Sequence, residues 1–320
     1  MKFSKNKLAA AFSAVLSVGM VSQASADVYG LSYLDIDNLT VGFNATGGGA
    51  GVFTFSTGQD AALNAVADGS SGAASCGGLF GVANSCAPGS PHLSGTVQNA
   101  PGGVVTRGEG DYTKFGTVGD YANAEAEVIS ATLLGNAVTH VDSISESNLD
   151  NGTGAQSSTN LSSNTSLNLT FDVGSAGTLS VAFDAVIDVL TQVTGGDIGL
   201  AQANSGATLV LQGAGNTLAS WAPTGTNTVT TCFAGLTCTA AETNLSLNNT
   251  SSSGGSANSV NGSGSYRIDI SGLTSGSYTL AFSTTTSTDL FRIQQVPLPG
   301  TLLLMGTGLL LGARATRRKK

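Results

Sequence analysis

Charge is scarce in this chain. Only 10% of its 320 residues are charged, and basic residues are the rarer kind. Of twelve Lys and Arg, three lie near the N-terminus (Lys2, Lys5 and Lys7) and five at the C-terminus (Arg314, Arg317, Arg318, Lys319 and Lys320). Only Arg107, Lys114, Arg267 and Arg292 remain between them. Against these four stand all twenty Asp and Glu, so the middle of the chain carries a formal charge of −16. A protein that grips nucleic acid or an anionic membrane needs basic patches to neutralise phosphates. This body has none, which excludes nucleic acid as a partner.

Other shortages exclude further classes. There is one tryptophan, Trp221, and six tyrosines, so few aromatic platforms exist on which a sugar ring could stack. The two histidines, His92 and His140, are too few to build a Cys/His zinc site beside the four cysteines. No Gly-x-Ser-x-Gly elbow is present, and in a chain this rich in serine a Ser-His-Asp match around His140 and Asp142 has no weight. Neither an EF-hand loop nor a Gly-Gly-x-Gly-x-Asp repeat occurs. No catalytic residues are assigned, and the expectation is a protein that is not an enzyme.

What is abundant is glycine, at 44 residues, together with Ser, Thr and Asn. Between residues 27 and 295, short apolar or alternating runs are punctuated by glycine. Leu34 and Ile36 alternate, and then Leu39 and Val41 continue with a shift of phase. Leu167, Leu169, Phe171 and Val173 share one face. The run from Leu179 to Val193 is longer and reads as a strand with a bend. Thr208 to Leu211, Tyr266 to Ile270 and Tyr278 to Phe282 complete the pattern. Period-two alternation with this spacing of turns predicts an all-β fold, a single sandwich or jelly roll, with a split near 151–165 as the alternative. Tyr121 to Gly135 reads either as a strand or as a short helix packed on the sheet. Two tracts of Gly, Ser, Thr and Asn, 151–166 and 248–265, read as loops.

The two ends carry addresses. Lys2, Lys5 and Lys7 precede an apolar run from Leu8 to Val21, and Ala24-Ser25-Ala26 supplies a small-x-small cleavage site, so cutting is expected before Asp27. Export follows, and with it an oxidising compartment. Two disulfides are therefore expected among Cys76, Cys86, Cys232 and Cys238, with pairing within each local pair favoured by the short loops. At the other end, Val296-Pro297-Leu298-Pro299 precedes an uncharged run, 301–313, and then the basic cluster. Thirteen helical residues rise about 20 Å, short of the ~30 Å hydrocarbon core, so this is a marginal anchor. The basic cluster would stay on the cytoplasmic side.

A Pro-containing tetrapeptide, a short apolar helix and a basic tail, in that order, resemble the PEP-CTERM protein-sorting signal in its VPLPA-type variant. Leu298 stands where the usual tetrapeptide has glutamate, and Gly300 where alanine is common. The resemblance covers only the last 25 or so residues, 296–320. It implies a transient stay in the inner membrane of a Gram-negative bacterium and removal of the helix by an exosortase, a membrane transpeptidase-like enzyme. It also implies a final place at the cell surface or in an exopolysaccharide or biofilm matrix. A structural or adhesive role there is the leading expectation; a secreted carbohydrate-binding module or carbohydrate-active enzyme on a sandwich scaffold is the alternative.

Three weaker signals remain. Asn244 sits in Glu242-Thr-Asn-Leu-Ser, a sequon with the extra acid that bacterial N-glycosylation uses. Asp35 and Asp37, and separately Asp142, Glu146 and Asp150 around a presumed loop, offer carboxylates to calcium. The carboxylate pairs Asp35/Asp37, Glu109/Asp111 and Glu125/Glu127 read as solvated strand or turn acids.

Overall fold

The computed structural model describes residues 27–46, 55–67, 70–79, 92–99, 111–117, 119, 121–130, 139–149, 156–194 and 198–293. All regular structure among them is β. The first sheet is built from β1 (Val28–Ala45), β4 (His92–Asn99), β5 (Tyr121–Ser130), β6 (Thr139–Leu149), β8 (Gly177–Val193), β12 (Thr237–Glu242) and β14 (Asn258–Leu273). Its order is β12-β14-β8-β1-β6-β5-β4. The second sheet takes β2 (Phe55–Ala67), β3 (Ser70–Leu79), β7 (Gln156–Val173), β9 (Ile198–Gly213), β10 (Asn216–Trp221), β11 (Thr231–Cys232) and β15 (Gly276–Ile293). Its order is β11-β10-β9-β15-β7-β2-β3, and β13 (Asn249–Ser253) pairs with β9. Every pairing is antiparallel. The two sheets pack face to face, as the alternation predicted.

The layer between the sheets has two chemistries. One half is apolar: Leu34, Ile36, Val181, Phe183 and Ile268 of the first sheet meet Phe171, Leu209, Trp221, Leu280 and Phe282 of the second. Phe183 lies at its centre, stacked on Tyr266 at 5.4 Å between ring centroids and edge-on to Phe282 at 5.3 Å. The other half holds buried hydroxyls, with a small apolar cluster of Val28, Leu149, Val193, Ala201 and Leu290 beside them. Ser143 and Ser145 of β6 both pair with Thr286 Oγ1 of β15 at 2.9 Å, and Ser147 pairs with Thr288 at 2.7 Å. Thr191 pairs with Ser251 at 2.8 Å. All seven side chains are buried. Buried hydroxyls are tolerable only when bonded, and here they bond to one another across the layer.

Several sequence readings need correction. The polar tracts expected to be loops are largely strand. Residues 156–166 belong to β7, which is hydrogen-bonded on both sides, to β15 and β2. Residues 249–253 form β13 and 258–265 open β14 along β8. Composition misled because burial of apolar surface is not the only way to seat a strand; a neighbouring ladder that satisfies every backbone group does so as well. Of the segment open to a helical reading, residues 121–130 are strand β5 and the rest lies outside the described residues. The run expected to bend, 179–193, is a single strand whose inward residues alternate without interruption.

The phase shift in the first strand is real and has a cause. Pairing of β1 slips between Ile36 and Leu39 against β6, and between Asp37 and Thr40 against β8. Asn38 holds the bulge with φ 55°, a left-handed conformation that asparagine adopts more readily than most residues. The extra residue keeps Leu39 and Val41 inward after Leu34 and Ile36.

Candidate metal centre on the outer face of the first sheet

The outer face of the first sheet is where the acids gather. Along β1, alternation turns Tyr29, Leu31, Tyr33, Asp35 and Asp37 away from the sandwich. Register then places Asp142 of β6 opposite Asp35, and Asp184 of β8 opposite Asp37. On the far side of β6, Glu127 of β5 holds the register position opposite Asp142. Like charges directly across a ladder repel. The arrangement therefore needs a cation, and His140 supplies one.

His140 lies on β6, two residues before Asp142. Its Nδ1 is 2.6 Å from Asp37 Oδ1 and 3.6 Å from Asp35 Oδ1, and its Nε2 hydrogen-bonds Asp142 Oδ2. The imidazole is three-quarters buried, and Asp142 more so. The hydrogen bond to Asp142, reinforced by the charges of Asp142 and Asp35 and by the bond to Asp37, outweighs burial and pushes the imidazole up to about 9. Asp35 is raised as well: burial first, then the charges of Asp142 and Asp37, lift its carboxyl to about 6 against the opposing pull of His140. Burial, then Asp142 and Asp35, push the Tyr33 hydroxyl above its usual range. Asp184 is held low by hydrogen bonds from Ser265 and Asn38.

These shifts predict the pH dependence of stability in the metal-free protein. For His140 the folded value lies above the unfolded one, so its stabilisation is complete below about pH 6.5 and is lost as pH rises through about 9. For Asp35 the raised value penalises the ionised form, so stability also declines from about pH 4 to about pH 6. Thermal unfolding in EDTA should show the midpoint falling across both windows. His140→Gln should flatten the upper one; an unchanged slope there would show that His140 carries no such charge.

A segment outside the strands roofs the neighbouring part of this face. Residues 111–117 run over β6, where buried Glu146 accepts hydrogen bonds from Phe115 N and Gly116 N at 2.9 Å and from Tyr29 Oη at 2.6 Å. Lys114 pairs with Asp188 of β8. Tyr112 packs with Tyr33, Leu31 and Ile144 in a small core of its own.

The other predicted residues fall as follows. Asp35 and Asp37 sit together as their spacing suggested. Asp142 and Glu146 do not flank a loop; both are inside β6, and Glu146 is a buried strut. That β6 lies beside β1, which joins His140 and Asp142 to the two aspartates, was not visible in the sequence. Cys232 and Cys238 are joined by a disulfide. Cys76 lies on β3 by its backbone, but the Cys76–Cys86 pairing falls outside the described residues. So do Ala24 and Ala26, Val296 to Pro299, the 301–313 helix, the basic cluster from Arg314 to Lys320, Glu109, and Asp150. Asp27 is described: its carbonyl accepts from Thr194 N at 2.9 Å, pinning the expected mature N-terminus to the end of β8. Asn244 is exposed, but Glu242 two residues earlier is engaged by Trp221 Nε1, Thr224 N and Thr226 N. Trp221 is 1% exposed, so it is a core residue and no sugar platform. Both nitrogens of His140 face carboxylates, and no serine is bonded to it among the described residues, so no triad forms there. In the sequence His140 could be set beside Asp142, two residues on, but not beside Asp35 and Asp37.

Fold and site together define an all-β, two-sheet protein with a histidine–carboxylate cluster on its outer face. Its C-terminus defines it more narrowly. Residues 295–319 match the PEP-CTERM protein-sorting motif, as the residues there led one to expect, and the motif marks an exported protein processed by an exosortase. The match is confined to that segment. No curated protein matches the chain. Two solved structures align with low similarity. One is the infectious bursal disease virus VP2 subviral particle, at 13% identity, covering 92% of this chain and 88% of that one with a TM-score of 0.11. The other is the Gx strain of the same virus, at 14% identity, covering 92% and 74%, also with a TM-score of 0.11. Neither bears on the function. Among the described residues no helix is long and apolar enough to cross a membrane.

Proposed function

We propose that this chain is a non-catalytic surface or matrix protein with a structural or adhesive role in an exopolysaccharide matrix. It is exported by its N-terminal segment, held briefly by 301–313, and cut near Val296–Pro299. The observation that carries the reading is the sorting motif at 295–319 directly after β15, which ends at Ile293. A cut there leaves every described strand intact. The outward residues of β15 and β9 support an adhesive role: Thr279 stands opposite Gln212, Ser283 opposite Thr208 and Ser287 opposite Asn204, with Asp289 opposite Gln202 at one end. Such a surface, mainly of hydroxyls and amides, suits hydrogen bonding to a hydroxylated polymer.

The test is mass spectrometry of the mature C-terminus in strains with and without the exosortase. Loss of Leu302–Lys320 only where the enzyme is present is expected. Retention of that segment in both strains would refute the processing.

A further inference from the structure

We infer that Asp35, Asp37 and His140 form a binding site for one divalent first-row transition-metal ion, with zinc as its probe. The inference stands apart from the sorting route. One ligand atom from each residue lies within 4.8 Å of the other two. Metal–ligand bonds to imidazole nitrogen and carboxylate oxygen are about 2.0–2.2 Å. A single ion between these donors therefore needs only small side-chain adjustments.

Three further features point to a built site. The first is how the ring is held. Asp142 takes Nε2, which leaves Nδ1 aimed at Asp35 and Asp37. A carboxylate on the far nitrogen is the arrangement that fixes tautomer and orientation in metal-ligating histidines. Tyr33 Oη in turn lies 3.4 Å from the other oxygen of Asp142. The second is Asp35 Oδ1, which is shut off from water and has no hydrogen-bond partner. An ion beside it would satisfy that oxygen. The third is access. A cleft of about 220 Å³, lined by Asp35, Asp37, Asp184 and Ser265, reaches the aspartate side of the cluster.

Charge and donor type select the ion. Three carboxylates surround one imidazole, so a divalent cation in place of the imidazole's proton brings the cluster closer to neutrality. Calcium and magnesium take oxygen ligands, whereas an imidazole nitrogen suits zinc, cobalt, nickel or copper. The calcium expected from the aspartates alone is thereby replaced. Sequence reading missed this because His140 lies 103 residues from Asp37.

The experiment uses the exported protein purified from culture and stripped with EDTA. Calorimetric titration with ZnCl₂ should show one equivalent bound at about micromolar Kd or tighter, with CaCl₂ binding at least tenfold weaker. His140→Gln and Asp37→Asn should each weaken zinc binding at least tenfold, and Asp142→Asn by about 10–100-fold through loss of ring orientation. Circular dichroism reports folding of each variant. Should His140→Gln fail to fold, Asp37→Asn decides, because Asp37 is half exposed and its amide keeps the shape. Zinc affinity unchanged in the folded variants, no binding at millimolar zinc, or tighter binding of calcium than of zinc would each overturn the proposal.

Discussion

Replacing Phe183 by alanine is expected to destabilise the protein by about 3–5 kcal/mol, the usual cost of emptying a buried aromatic site. The ring touches three others: Tyr266 from the same sheet, and Trp221 and Phe282 from the opposing one. Its loss would leave a void where the two sheets meet, and aromatic pairing adds roughly 0.5–1.5 kcal/mol per pair beyond burial. Tyr266 is tied by its hydroxyl to Leu245 O, and Trp221 by its indole to Glu242, so neither ring is free to collapse into the space. Denaturant unfolding should show the midpoint falling with the slope unchanged. Val186→Ala is the control: that side chain is on the outer face of the same strand, 40% exposed, and should change stability by less than about 0.5 kcal/mol. A Phe183→Ala loss below 1 kcal/mol would show that the aromatic cluster does not hold the sheets together.

Glu146→Ala is expected to cost about 2–4 kcal/mol and to free the segment over β6. The carboxylate is fully buried, and its removal takes away an acceptor from Tyr29 Oη and from the amides of Phe115 and Gly116. Each buried donor left without an acceptor costs about 1–3 kcal/mol, offset in part because a buried charge disappears with it. The low basic content makes the readout clean. Lys114 is one of only four basic residues between the two ends and lies on this very segment. Trypsin should cut after Lys114 much faster in Glu146→Ala than in the parent, while Glu146→Gln, which retains one acceptor oxygen, should fall between. Equal cleavage in all three would mean that Glu146 does not pin the segment.

The fold was legible wherever one face of a strand is apolar. Leu34, Ile36, Leu39 and Val41 announced both β1 and its bulge, and Leu167 to Val173 announced the inner half of β7. It was illegible where the inner face is hydroxyl. Ser143, Ser145 and Ser147 carry no apolar signal, and their partners Thr286 and Thr288 lie some 140 residues away. The site divides in the same way. Asp35 and Asp37 are adjacent on one strand and were visible as a pair. What turns them into a ligand set is the register of β6 against β1, which brings His140 alongside, and no local pattern encodes that register. Trp221 fails for a third reason: an indole reads the same in a core as on a sugar-binding surface until its neighbours are known.

The position of β15 has a mechanical consequence. The strand lies inside the second sheet, bonded to β7 from Gly276 to Ile293 and to β9 from Tyr278 to Ile293. A chain joined to the cell surface through its trimmed C-terminus would take tension along this strand. The load would draw β15 lengthwise against two ladders at once, in shear, so that many hydrogen bonds must break together. An edge strand such as β3 or β12 would instead be exposed to peeling, bond by bond. The same strand that leads into the sorting motif is thus placed to bear a tether.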